Sequence, residues 1–141
     1  MSLIDQSTEF GARAARHLRE DRVVWLTTVT ASGAPVPNPV WFLWDGEQTI
    51  VIFSLPDTGR VRNVQANPRV ALHFDGDGSG GDVVVLSGRA SAPPGAPSAD
   101  QVPDYLAKYE WGFERLGTTP AQFAQRYSVP VHIELTRLRG H

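Results

Sequence analysis

The sequence predicts a mainly β protein: a small barrel of six antiparallel strands with helices at its periphery. Three observations carry that expectation. Short β-branched and aromatic runs follow one another from Val23, separated by turn residues such as Gly33-Ala34-Pro35 and Asp45-Gly46. In a later run Val70, Leu72 and Phe74 alternate with Ala71, His73 and Asp75, the period of a half-buried strand. Helical spacings fall at the start and late in the chain, not between every pair of strands as a parallel sheet requires.

Ser7 can cap a first helix, in which Phe10, Ala14, His17 and Leu18 share one face and which ends near Asp21. Strands are then expected at residues 23–30, 40–44 and 49–55. Asp45-Gly46, both tolerant of positive φ, reads as a tight hairpin between the last two. A short helix carrying Val61 and Val64 must stop at Asn67-Pro68, because a residue before proline is pushed out of the helical region. A fourth strand starts directly afterwards, and a fifth runs from Val83 through Ser91. Pro93-Pro94-Gly95-Ala96-Pro97 marks a surface loop, residues 102–125 read as two helical pieces broken at Gly117 and Pro120, and residues 131–139 form the sixth strand. All of this fits one domain over residues 1–141.

Composition excludes several classes of function. Hydrophobic residues are 41% and charged residues 20%, the balance of a globular domain. A net charge of −2, with 13 scattered Lys and Arg of which Lys108 is the sole lysine, gives no basic footprint for nucleic acid. With no cysteine there is no disulfide, thiolate metal site or thiol nucleophile, so redox chemistry must borrow a cofactor. No apolar run approaches membrane-spanning length and no targeting pattern is evident, so a cytoplasmic location is expected.

The stretch Ser54-Leu-Pro-Asp-Thr58-Gly59-Arg60-Val-Arg62 is the most informative. A strand runs out into a hydroxyl-bearing turn and two arginines open a helix. Exposed N–H groups and the partial positive charge of a helix N-terminus favour a phosphate, to which Ser54, Thr58 and Arg60 can add donors. The same residues also suit a plain connection in which Asp57 or Thr58 caps the helix and the arginines are solvated.

Other motifs are weaker. Asp75-Gly-Asp77-Gly-Ser79-Gly80 begins like a calcium loop, but its twelfth position is Leu86 and strands flank it, so a flexible hairpin loop is expected. His17, His73, His132 and His141 include no pair at i, i+3 or i, i+4, and no metal site is expected. No Gly-x-Ser-x-Gly elbow or Gly-x-Gly-x-x-Gly fingerprint is present. Trp25, Trp41, Phe42 and Trp44 crowd the first two strands and can pack a core or wall a flat ring; Trp41 and Phe42 must face opposite ways.

Gly33-Ala-Pro35, Pro39-Val-Trp-Phe-Leu-Trp-Asp-Gly46, Phe53-Ser54, Arg60-Val-Arg-Asn63 and Asn67-Pro-Arg-Val-Ala71 together resemble the pyridoxamine 5′-phosphate oxidase-like superfamily of split β-barrel flavoproteins. Gly80 to Gly88, Tyr105-Leu-Ala-Lys-Tyr109 and the segment from Tyr127 to Gly140 look closer to the actinobacterial branch grouped with reductases dependent on the deazaflavin coenzyme F420. The resemblance implies an FMN-binding type of split barrel and a homodimer with the cofactor in a groove between subunits. It places Arg60, Thr58, Gly59 and Ser54 at the cofactor phosphate, and Asn38, Pro39, Val40 and Trp41 along the tricyclic ring. Where the vitamin-making oxidases carry a phosphate-binding arginine and a lysine on the second strand, this chain has Asn38 and Leu43, and their C-terminal Arg-x-His has no counterpart; these departures argue against oxidation of pyridoxamine phosphate. The implied activity is hydride transfer between F420 and a small organic acceptor, with FMN as the alternative cofactor and a non-catalytic flavin carrier as a further alternative.

Overall fold

A computed structural model describes residues 2–141. Helix α1 (Glu9–Glu20) is capped one residue later than expected: the Thr8 side-chain oxygen accepts from the Gly11 N–H, while the Ser7 hydroxyl is turned away to Asp5. Its Ala14, Ala15 and Leu18 are buried, giving the helix one apolar face against the sheet.

Among the described residues seven strands follow, one more than the sequence suggested: β1 (Val24–Val29), β2 (Pro35–Val40), β3 (Leu43–Trp44), β4 (Thr49–Ser54), β5 (Arg69–His73), β6 (Val84–Ser91) and β7 (Val129–Gly140). The expected strand at residues 40–44 is displaced. Residues 35–40 pair with β1 along their whole length, and the chain then breaks at Trp41-Phe42 before the two-residue β3. Three prolines disguise β2, because proline has no N–H to give to a ladder. They are accommodated because β2 is an edge strand and Pro35, Pro37 and Pro39 recur every second residue, so all three turn the same way, outward and exposed.

Every pairing is antiparallel, and the sheet order is β2-β1-β5-β6-β7-β4-β3. That order imposes a shape. β2 and β3 are separated by only Trp41 and Phe42, yet they occupy opposite edges. Laid flat, seven strands at about 4.8 Å spacing would hold those edges roughly 29 Å apart. Three residue steps from Val40 to Leu43 reach at most about 11 Å. The sheet therefore curls until its edges nearly meet, forming the split barrel, with a seam at Trp41-Phe42. Leu26, Phe42, Ile50, Ile52, Leu72, Leu86, Ile133 and Leu135 fill its interior.

Outside the barrel, α2 (Gly59–Ala66) stops at Asn67 as expected. The late helical region is two pieces, α3 (Pro103–Leu116) and α4 (Pro120–Arg126), separated where Gly117 takes the left-handed conformation (φ 65°, ψ 33°). These helices bring Tyr105, Tyr109, Phe113 and Phe123 together with Phe53 of β4 as a second apolar cluster. Asp45-Gly46 is not a two-residue hairpin but opens a four-residue loop, in which the Asp45 carboxylate accepts from the N–H groups of Glu47 and Thr49. The glycine-rich segment joins β5 to β6, with the Asp77 carboxylate accepting from the N–H groups of Ser79 and Gly81. Among the described residues no helix is long and apolar enough to cross a membrane.

Candidate functional site

The seam opens on a cleft of about 220 Å³. β2 gives it Pro39 and Val40, the crossing gives Trp41, β4 gives Phe53 and α2 gives Arg60. The far wall comes from α3 and α4 and the residue that follows: Tyr105, Leu116, Phe123 and Tyr127.

Trp41 is fixed by aromatic packing. Its ring lies parallel to Tyr109 at 4.5 Å between centroids and to Phe123 at 5.8 Å. Phe42 points the other way into the barrel, as alternation on an extended chain requires. Tyr109 also holds the backbone at this break. Its hydroxyl accepts from the Phe42 N–H at 2.8 Å and lies 2.7 Å from Arg22 O and 3.0 Å from Phe42 O, two carbonyls that share its one proton. Next to it on α3, the Lys108 ammonium lies 3.7 Å from the centre of the Phe42 ring, and burial pulls its pKa down to about 8 against the opposing pull of Asp21.

Arg60 is the charged group of the cleft. It is half-buried, one Nη donates to Ser54 Oγ at 3.0 Å, and among the described residues no carboxylate pairs with it. Burial alone draws its pKa below the usual arginine value. Thr58 has the extended backbone of a helix N-cap, but its hydroxyl donates to Leu55 O and caps nothing, and the first turn carries no acidic residue. The N-terminal N–H groups and partial charge of α2 are thus left without side-chain compensation beside a guanidinium that lacks a counter-ion.

Of the eight residues singled out in the sequence, Pro39, Val40, Trp41 and Arg60 line the cleft. Ser54 lies behind Arg60, fully buried, and supports the guanidinium instead of facing the opening. Thr58 and Gly59 form the start of α2. Asn38 shares a face of β2 with Val40 but is not part of the lining. The sequence reading missed Phe53, Tyr105, Leu116, Phe123 and Tyr127. A signal was present, since Tyr105/Tyr109 and Phe123/Tyr127 each stand four apart in sequence, the spacing of one helical face, but buried helices show the same spacing. None of the four histidines lines the cleft. His17, on α1, is bonded instead to Asp21 (2.7 Å) and Asp82 (2.9 Å).

The family model for pyridoxamine 5′-phosphate oxidase matches residues 10–137, almost the whole chain. The chain belongs to this family. Solved structures with the same split barrel extend the comparison. An F420 reductase is 26% identical with a TM-score of 0.57, covering 88% of this chain and 94% of that one. An FAD-binding protein from Mesorhizobium loti is 20% identical (TM-score 0.59, covering 90% and 88%). HutZ, a heme storage protein from Vibrio cholerae, is 18% identical (TM-score 0.59, covering 99% and 93%). No protein of curated function matches the chain. In this member of the pyridoxamine 5′-phosphate oxidase family, then, the barrel seam, the start of α2 and the inserted pair α3 and α4 enclose one aromatic cleft with a single cation at its side.

Proposed function

We propose that this chain is an oxidoreductase that binds a flavin-type cofactor in the seam cleft, with F420 the favoured coenzyme and a small organic molecule as hydride acceptor. The observation that carries the reading is Arg60. A half-buried guanidinium without a carboxylate, beside an uncapped helix start, stands to gain most from an anion such as a phosphate. The rest of the lining is apolar and aromatic and suits a planar ring: Pro39, Val40, Trp41 and Phe53 on the barrel side, Phe123 and Tyr127 opposite.

Such a coenzyme, when bound, supplies the hydride chemistry itself. The chain's own work is to orient and to exclude water. Arg60 and the N–H groups at Gly59 and Arg60 hold the anionic tail, Ser54 fixes the guanidinium, and Trp41 and Val40 wall the ring. Because no histidine lines the cleft, it offers no imidazole ligand to a heme iron.

A cleft of about 220 Å³ is smaller than those that enclose a whole ligand, roughly 300–1,000 Å³. Pro39 also ends an outward-facing row, Pro39-Trp25-His73-Val85, across β2, β1, β5 and β6. A second copy seated on that outer face would stand beside the cleft and supply the missing wall. A homodimer is therefore part of the proposal.

The test is to titrate the purified chain with F420 and with FMN, following absorbance and fluorescence, and then to offer the loaded protein a panel of oxidised acceptors. Tighter binding of F420 with turnover is expected. A clear FMN preference would make the chain a flavin oxidoreductase, and tight binding without turnover a carrier. Binding of neither coenzyme overturns the reading.

A further inference from the structure

Two tyrosines one helical turn apart on α3 face inward, and their hydroxyls are treated differently. That of Tyr109 is fully engaged by Phe42 and Arg22. Tyr105 is just as deeply placed, 1% exposed, with its ring edge-on to Phe53 at 4.7 Å and tilted against Tyr109 at 4.8 Å. Yet its hydroxyl makes no hydrogen bond to any described residue. With no protein partner, the phenol depends for its hydrogen bond on whatever water or ligand reaches it.

The hydroxyl is not sealed in. Among the described residues, Lys108 Nζ is the one fully enclosed side-chain nitrogen or oxygen without a hydrogen-bond partner. The Tyr105 oxygen therefore keeps an opening, and the opening that Tyr105 borders is the cleft. We propose that the Tyr105 hydroxyl is a ligand-contacting hydrogen-bond donor, directed at a carbonyl oxygen or ring nitrogen of the planar conjugated ring that the cleft receives. This deepens the flavin-type reading and rests on it.

The chemistry of the lining supports the assignment. Pro39, Val40, Phe53, Leu116 and Phe123 bring no side-chain donor to the cleft, so a ring oxygen that enters sheds its water and depends on the few polar groups of the lining, of which Tyr105 is the most deeply buried. Burial, with the nearby Tyr109 and Tyr127, pushes the Tyr105 ionisation above the ordinary phenol range, which keeps the group a neutral donor at any working pH. A hydroxyl at this place favours rings bearing a polar atom there over rings bearing only C–H.

The experiment is Tyr105→Phe in the full chain, read in two ways. Without ligand, the melting temperature is expected to stay level or rise, since the change deletes an unpartnered hydroxyl and keeps the ring. With F420 and FMN as probes, Kd is expected to rise about tenfold or more. A fall of several degrees in the unliganded variant would show that the hydroxyl already has a partner and would overturn the inference, as would an unchanged Kd. If the unaltered chain binds neither coenzyme, the cofactor reading itself falls. If it binds and the variant binds equally well, this inference alone falls.

Discussion

A guanidinium that has lost part of its hydration and gained no carboxylate is held in place by one hydroxyl, Ser54 Oγ, and by the helix it begins. Removing it should cost ligand and not fold. Arg60→Ala is expected to weaken a phosphate-bearing coenzyme by about 1.5–3 kcal/mol, the range for a hydrogen bond to a charged group, with the melting temperature nearly unchanged. Calorimetric titration checks this, and equal affinity would remove Arg60 from the site. The residue was legible in the sequence because a strand, a hydroxyl-bearing turn and a helix start leave few places for an arginine to go. Tyr105 and Phe123 were not, because an aromatic at i, i+4 on a helix looks the same whether it fills a core or walls a cleft. Ser54 was legible as part of the turn, but its partner was not: only the folded geometry shows that Arg60 takes the hydroxyl that a phosphate was expected to use.

Two contacts between elements fasten separate parts of the molecule. The first is the Tyr109 hydroxyl of α3 on the break between β2 and β3. Tyr109→Phe keeps the ring beside Trp41 but strands the Phe42 N–H, and should destabilise the fold by about 1–3 kcal/mol. Faster amide exchange at Phe42, measured by NMR, would locate the loss; unchanged exchange there would rule the contact out as the fastener. The second is a clasp between α1 and the β5–β6 loop, where Asp82 accepts from Arg13 at 2.6 Å and faces His17, itself bonded to Asp21. Burial lowers the His17 pKa, but the bonds and charges of Asp21 and Asp82 outweigh it, and the net effect is upward. Asp82 is lowered, first by Arg13 and then by His17. The His17 contribution is therefore complete below its unfolded pKa of about 6.5 and is lost as pH rises through the higher folded value. That of Asp82 is complete above its unfolded value of about 3.9 and is lost as pH falls through the lower folded one. His17→Gln is expected to flatten the decline in melting temperature as pH rises above about 6.5, and an identical slope in the variant would exclude the clasp. At this scale the helices were readable from proline and glycine punctuation, whereas β2 was not. Its prolines argue against a strand until one sees that all three fall on alternate residues, which only an edge tolerates.

At the scale of the whole molecule the barrel class was visible from strand periodicity, but the sheet order was not, because no local pattern announces that β7 lies between β6 and β4. The outward rows were likewise hidden until the register was known. Thr27 of β1, Ala71 of β5 and Ser87 of β6 stand side by side on the outer face, next to the row that ends at Pro39. If a second copy docks there, Ala71→Glu should place a charge in the contact, shift the particle from about twice 15.4 kDa to the single-chain mass in light scattering, and weaken coenzyme binding together with it. A single-chain mass for the unaltered protein would dispose of the dimer. The position of β7 has a further consequence for how the molecule comes into being. Residues 129–140 are the stave that joins the two halves of the wall, so a nascent chain still lacking them holds β4 and β3 with nothing to bind them to β6. During synthesis the cleft can take shape only once residues 129–140 have left the ribosome, and a premature stop shortly before residue 129 would abolish the cleft while sparing every residue that lines it.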